Sequence, residues 1–304
     1  MAVPAPSASA RAVVTGASSG IGMALARTLA RRGHSLILVA RRGEILEELA
    51  EELRTELHVV VEVRPTDLAD PTAVAVLAAE LAGREISILA NNAGIATFGP
   101  VAELDADYER AQVLLNVNAV HDLTLAVLPQ MVARRAGGIL MVGSAAGNMP
   151  IPNNATYAAS KAFVNTFSES LRGEVSGQGV HVTLLAPGPV RTHTPSAEEA
   201  SIVDKLVPDF LWHSSDKVAE MSLDALEHNK MRVVPGTLSK AMSVAGGYSP
   251  RAVVAPIVGT FYRKLATASS SRAPARPGCP PRRAPTPQRR HLSAGAGRYR
   301  RSRG

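Results

Sequence analysis

Seven short apolar runs mark the first 235 residues, and segments of helical pattern separate them. The runs are RAVVT (11–15), SLILVA (35–40), VVVEV (59–63), ISILA (86–90), GILMVGS (138–144), VHVTLLA (180–186) and the shorter MRVV (231–234). Strands separated by a helix do not pair as hairpins; each helix crosses over the sheet and the next strand runs parallel. Several runs are almost continuously apolar, as strands covered on both faces are. After the first run, Ile21, Leu25 and Leu29 recur at every fourth position and Gly33 comes next, a helix and its C-terminal stop. The next segment carries Ile45, Leu49, Leu53 and Leu57 on one stripe, with Glu and Arg elsewhere. No segment repeats another. The pattern predicts the α/β class: a doubly wound parallel sheet of about seven strands in a single domain, residues 11–265, after an N-terminal extension of residues 1–10.

The C-terminal tail differs in kind from that domain. Residues 266–304 contain ten Arg and six Pro, with no Lys, Asp or Glu. The formal net charge of +7 therefore misdescribes the body, since residues 1–265 hold 23 basic and 26 acidic side chains. The tail has too few apolar groups to offset the entropy of ordering and is expected to be disordered, a solvated appendage able to meet an anionic surface. Aromatic residues are only 4% of the 304, which gives no base-stacking surface for nucleic acid. The single cysteine, Cys279, excludes an intramolecular disulfide and a cysteine-based zinc site. No uncharged apolar run reaches the ~18 residues of a membrane span. The opening MAVPAPSASARAVV lacks the charged start and apolar core of a secretory signal. A cytoplasmic enzyme is the simplest expectation.

Two short motifs carry chemistry. The first strand leads into TGASSGIG (15–22) and then a helix. Glycines in such a turn let backbone approach a pyrophosphate, and the helix N-terminus stabilises its charge. Gly16, Ser18, Ser19, Gly20, Ile21 and Gly22 are the candidates for that contact. The spacing is G-x-x-x-G-x-G, not the commoner G-x-G-x-x-G of dinucleotide-binding turns. The second motif is Tyr157 and Lys161 within NNATYAASKAFVNTF (153–167). Residues at i and i+4 share a helical face. An ammonium beside a phenol lowers its pKa from the usual ~10, so the pair can pass a proton near neutral pH. On its own, Y-x-x-x-K also suits a helix with an incidental Tyr and a solvated Lys.

TGASSGIG, NNAG (91–94), Asn118 in NVNAV, Ser144 in VGSAAG, YAASK (157–161) and PGPVRT (187–192) stand in one order along the chain. In that order and approximate spacing, residues 11 to about 235 closely resemble the short-chain dehydrogenase/reductase family. The resemblance implies a Rossmann-like sheet, a nicotinamide dinucleotide and hydride transfer between an alcohol and a ketone. It also implies a catalytic set of Asn118, Ser144, Tyr157 and Lys161. Tyr157 would protonate the carbonyl oxygen in the reductive direction, and Lys161 would lower its pKa and bind the nicotinamide ribose. Ser144 would hydrogen-bond the same substrate oxygen, and Asn118 would hold a water that resupplies the proton. Asn91 and Gly94 would line the nicotinamide side, and Asp67 with Leu68 would meet the adenine. Val190 and Thr192 would contact the carboxamide and phosphates, with Pro187 and Gly188 shaping that turn.

VARR (39–42) bears on the choice of cofactor. A carboxylate at position 40 would bind the ribose hydroxyls and repel a 2′-phosphate. Ala40 does neither, and Arg41 and Arg42 offer forked donors suited to a phosphate. NADP(H) is the expected cofactor, with NAD(H) as the alternative. Residues 193–215, which include Phe210, Leu211 and Trp212, correspond to the family's mobile lid and suggest a fairly apolar small-molecule carbonyl or alcohol. A 3-oxoacyl reductase of fatty-acid type and a non-catalytic dinucleotide sensor or scaffold are the alternative functions. The long helices beginning near Asp105 and near Thr156 pair across subunits in the family, which implies a homodimer or homotetramer. His121, His193 and His213 have no metal-ligand spacing, and no metal is expected.

Overall fold

The computed structural model describes residues 3–188, 190–191 and 213–236. The chain runs β1 (Arg11–Thr15), α1 (Gly20–Arg31), β2 (Leu36–Ala40), α2 (Gly43–Leu57), β3 (Val61–Pro65), α3 (Pro71–Ala82) and β4 (Ile86–Asn91). It continues through α4 (Ala106–Val113), a π-helical turn (Leu114–Ala119), α5 (Val120–Arg134), β5 (Gly137–Val142), α6 (Ala155–Glu174) and β6 (Val180–Leu185). The short β7 (Val190–Arg191) and β8 (His213–Ser214), α7 (Ser215–Glu227) and β9 (Arg232–Val233) complete it. Seven strands form one parallel sheet in the order β3-β2-β1-β4-β5-β6-β9, and β7 pairs with β8 apart from it. The expected Rossmann-like, doubly wound sheet of seven strands is present.

Period-two alternation decides which face each strand side chain takes. In β2, Leu36 and Leu38 join one apolar layer with Leu25 and Leu29 of α1, Leu49 of α2 and Leu223 of α7. Ile37 and Val39 join the opposite layer with Leu77 of α3, Val127 of α5 and Val164 of α6. All of these side chains are buried. From β1 the chain moves outward through β2 to β3; α3 then returns it to β4, on the other side of β1. That reversal opens a crevice at the carboxyl ends of β1 and β4, where ligands bind in open α/β sheets.

Some boundaries differ from the sequence pattern. α2 closes on His58 in the left-handed conformation, φ 54°, with its N–H on the Arg54 carbonyl. Val59 and Val60 are used in the connection, so β3 begins at Val61 and pairs Ala40 with Pro65. Proline is tolerated there because β3 is an edge strand. β5 stops at Val142, so Gly143 and Ser144 leave the sheet. Within the N-terminal extension Val3 touches the apolar core, Ala10 is buried, and Ser7 Oγ accepts from the Ala10 N–H at 3.0 Å, while residues 5–9 are exposed. The lid at about 193–215, apart from residues 213–215, and the tail at 266–304 lie outside the described residues.

α4, the π-helical turn and α5 form one continuous helix of 29 residues, Ala106–Arg134. Asp105 caps it, its Oδ1 accepting from the Asp107 and Tyr108 N–H groups. By length and composition this helix alone, among the described residues, is apolar enough to cross a membrane. Gln112, Asn116, Val120, Leu123, Val127 and Met131 recur at helical spacing and are all buried. The helix thus lays one full stripe against the domain.

Candidate active site

A cavity of about 790 Å³ opens over the carboxyl ends of the strands, from the glycine turn after β1 to Lys161 on α6. In the turn, Gly16 has φ 68° and Gly20 φ 53°, the left-handed region that glycine enters without strain. A Cβ at Gly16 would lie 2.8 Å from Asn92 Nδ2, and one at Gly22 would lie 2.2 Å from the Gly16 carbonyl oxygen. Both glycines are therefore required by close approach. α1 starts at Gly20 with neither a side-chain cap nor an acidic residue in its first turn. Gly20 and Ile21 at its start line the cavity, so its N-terminal N–H groups and dipole face it with no acidic side chain of their own first turn to compete. The residues just after β4 brace the turn: Asn92 Nδ2 donates to the Thr15 carbonyl at 2.8 Å, and Thr15 Oγ1 accepts from the Asn92 and Ala93 N–H groups.

The opposite wall belongs to α6, whose Tyr157 and Lys161 both line the cavity. Lys161 Nζ stands 5.9 Å from the Tyr157 ring centroid and donates to the Val142 carbonyl at 2.8 Å. Burial pushes the Lys161 ammonium down from 10.5 to about 8, because desolvation disfavours the charged form. At neutral pH it remains a cation beside the phenol. Ser144 comes just after β5 and is held by Asn165 of α6, whose Nδ2 donates to the Ser144 carbonyl at 2.9 Å. A Cβ at Gly143 would fall 2.1 Å from Asn165 Oδ1, so glycine is what lets α6 close on this strand end. Ser144 Oγ accepts from the Ala146 N–H at 3.1 Å, which leaves its own proton to donate.

The structure separates Asn118 from its near neighbour Asn116. Asn118 is exposed, while Asn116 is fully buried at the site. Asn116 Oδ1 accepts from the Ile95 N–H at 3.0 Å, and its Nδ2 donates to the Ile95 carbonyl at 2.8 Å and to Ser160 Oγ at 3.1 Å. Two positions along a helix amount to about half a turn, so the two side chains leave opposite sides. A signal was available: Asn116 stands four residues before Val120 on the stripe that continues through Leu123, Val127 and Met131, and Asn118 stands off it. Asn91 needs correcting. It is 2% exposed and donates to Thr124 Oγ1 at 3.0 Å in the core; its neighbour Asn92 lines the cavity instead.

The sequence pattern of the family described as short chain dehydrogenase matches residues 10–201. The chain is a short-chain dehydrogenase/reductase. Sulfoacetaldehyde reductase 2 of Chromohalobacter salexigens is 38% identical to it over 218 residues, 69% of this chain and 85% of that protein. Oxidoreductase UcpA of Escherichia coli K12 is 40% identical over 191 residues, 62% of this chain and 71% of that protein. Among solved structures, a short-chain dehydrogenase from Sphingobium yanoikuyae in complex with NADPH matches with a TM-score of 0.70 at 30% identity. That match covers 88% of this chain and 98% of the other. The protein is thus an oxidoreductase of the short-chain dehydrogenase/reductase family, acting between alcohols and carbonyls.

The remaining candidates of this short-chain dehydrogenase/reductase divide by position. Gly16, Ser18, Ser19, Gly20 and Ile21 line the cavity, as do Arg41, Arg42, Asp67, Leu68, Gly94, Pro187 and Gly188. Gly22 acts through its packing on the Gly16 carbonyl. A Cβ at Gly94 would come within 3.3 Å of Lys161 Nζ, so the chain there runs directly over the lysine. Asp67 is exposed and accepts from the Ala69 N–H at 2.9 Å. The backbone of Val190 belongs to β7, and Thr192 lies outside the described residues. Ile95, Tyr108 and Leu115 also line the cavity without having been singled out; only the fold brings them there. Among the described residues no cluster of His, Cys, Asp or Glu can hold a metal.

Proposed function

We propose that this enzyme transfers hydride between NADP(H) and a carbonyl or secondary alcohol, with Tyr157 as the general acid/base. The observation that carries the reading is the buried Lys161 ammonium beside Tyr157, at one end of a cavity whose other end offers Arg41. The residues fit a dinucleotide phosphate: Gly16 and Gly22 leave no room for a Cβ, and the uncapped start of α1 faces the cavity. Position 40 is Ala, and exposed Arg41 supplies positive charge where a 2′-phosphate would lie. The NADPH complex of the Sphingobium yanoikuyae relative supports the same choice. NADPH, when bound, supplies the hydride.

In reduction, the Tyr157 hydroxyl gives its proton to the substrate oxygen while the Ser144 hydroxyl donates a hydrogen bond to that oxygen. The Lys161 cation stabilises the phenolate left behind. Ile95, Tyr108 and Leu115 give the substrate end an apolar wall, which favours an apolar carbonyl compound. The test is oxidation of NADPH and NADH with a panel of ketones and aldehydes. Turnover preferring NADPH supports the proposal, and silence alongside tight NADPH binding supports a sensor instead.

Asn116, not Asn118, holds the proton-relay position in this proposal. Asn116→Ala should lower kcat by roughly ten- to a hundredfold, the scale of a small misplacement of catalytic groups, while Asn118→Ala leaves it near wild type. Comparable losses in both variants would return the role to Asn118.

The protein assembles as a homodimer or homotetramer through α5 and α6. Leu125 and Phe163 are exposed there, at 51% and 36%, and Phe163 stacks on Phe167 with centroids 5.5 Å apart beside His121. Light scattering at micromolar concentration should give a multiple of 31.8 kDa, and Phe163→Glu should reduce it. A wild-type monomer would overturn the assembly.

A further inference from the structure

The two adjacent arginines of VARR are alike in sequence and unlike in place. Arg41 is exposed at the cavity rim and makes no hydrogen bond or ion pair with the described residues. Arg42 turns onto the glycine turn: Nη2 donates to Ser18 Oγ at 2.9 Å and to the Ser18 carbonyl at 3.1 Å, and Nε donates to Ser18 Oγ at 3.2 Å. The edge of the fork that grips a phosphate bidentately is thus occupied by a neutral serine. Ser18 is 8% exposed and lies between Gly16 and Gly20, the residues that leave a chain most free. Asn92 fixes the turn at Thr15 and Gly16. Among the described residues, Arg42 is the only side chain that hydrogen-bonds Ser18.

We infer that Arg42 is a positioning residue that holds the phosphate turn in shape for any dinucleotide, while Arg41 alone discriminates the 2′-phosphate. The inference rests on the proposed dinucleotide-binding function. A turn flanked by glycines and released from Arg42 must be ordered by the ligand, and that entropy opposes binding. NADPH and NADH share the pyrophosphate, so the loss falls on both equally. Only NADPH carries the group that Arg41 meets.

The experiment is a fluorescence titration of NADPH and NADH into wild type, Arg41→Ala, Arg42→Ala, Ser18→Ala and the Ser18→Ala/Arg42→Ala double variant. Arg42→Ala should weaken both nucleotides about tenfold, with their affinity ratio unchanged. Arg41→Ala should weaken NADPH about tenfold or more and NADH little. Ser18→Ala should weaken both, and the double variant should lose less than the sum of the two single losses, because both singles break the same Arg42–Ser18 contact. A substitution that merely loosened the fold would give additive losses. Additive losses, or an Arg42→Ala defect confined to NADPH, overturn the positioning role. A wild-type protein that takes up neither nucleotide overturns the dinucleotide function itself, an outcome distinct from either.

Discussion

Tyr157→Phe is expected to cut turnover by roughly 10²–10⁴-fold, the usual contribution of general acid–base catalysis, while NADPH binding stays near wild type. The substitution deletes one oxygen from a half-buried ring and leaves its packing in place. Lys161, 5.9 Å from the ring centroid, keeps its bond to the Val142 carbonyl. Ser144, the proposed hydrogen-bond donor to the substrate oxygen, is a poor substitute, because an aliphatic hydroxyl is a far weaker acid than a phenol. The measurement is single-turnover NADPH oxidation together with a nucleotide titration. Residual turnover above about a tenth of wild type, far outside the range for losing the acid, would show that the proton comes from elsewhere.

Lys161→Met should give the second large effect, and in two directions at once. Catalysis falls with the loss of the cation, by about 10²-fold or more on the same scale. Stability rises. Burial lowers the Lys161 pKa from 10.5 to about 8, a destabilisation of about 3 kcal/mol at neutral pH. Losing the bond to Val142 costs about 1 kcal/mol, so a net gain of about 2 kcal/mol remains, the two figures being subtracted. The sign is set by proton uptake. Between pH 8 and 10.5 the unfolded chain holds a proton that the folded one has released, so wild type becomes more stable as pH rises through that window. The advantage of Met should therefore be full below pH 8 and fade toward pH 10.5. Denaturant unfolding at pH 7 and pH 10 measures it. A variant less stable than wild type at pH 7 would mean that the buried ammonium is compensated by contacts beyond Val142.

How far the site was legible depended on the spacing of its parts. Tyr157 and Lys161 are four apart on one helix, so their proximity is a property of the helix. The glycine turn joins β1 to α1 directly, and its function is set by that local sequence. The burial of Asn116 was legible, since the stripe through Val120, Leu123 and Val127 singles it out from the exposed Asn118. Asn91 and Asn92 were not separable in the same way. Adjacent strand residues face opposite sides, and in a sheet covered on both faces neither side is marked by polarity. Ser144 gave no sign of its support either, because Asn165 lies 21 positions away and meets it only when α6 packs on β5.

By itself, the sequence determined the α/β class, the order of the elements, the phosphate turn and the Tyr–Lys pair. Each of these is written in periodicity or in neighbouring residues, and local geometry enforces them wherever the chain folds. Tertiary structure decided the choices between near-identical neighbours: Asn92 over Asn91 at the cavity, and Arg41 left open while Arg42 closes on Ser18. A step of one residue reverses a strand side chain and turns a helical one by about 100°. Which of two neighbours faces the site is therefore set by the register of packing against distant elements, and that register exists only once the sheet and helices have come together.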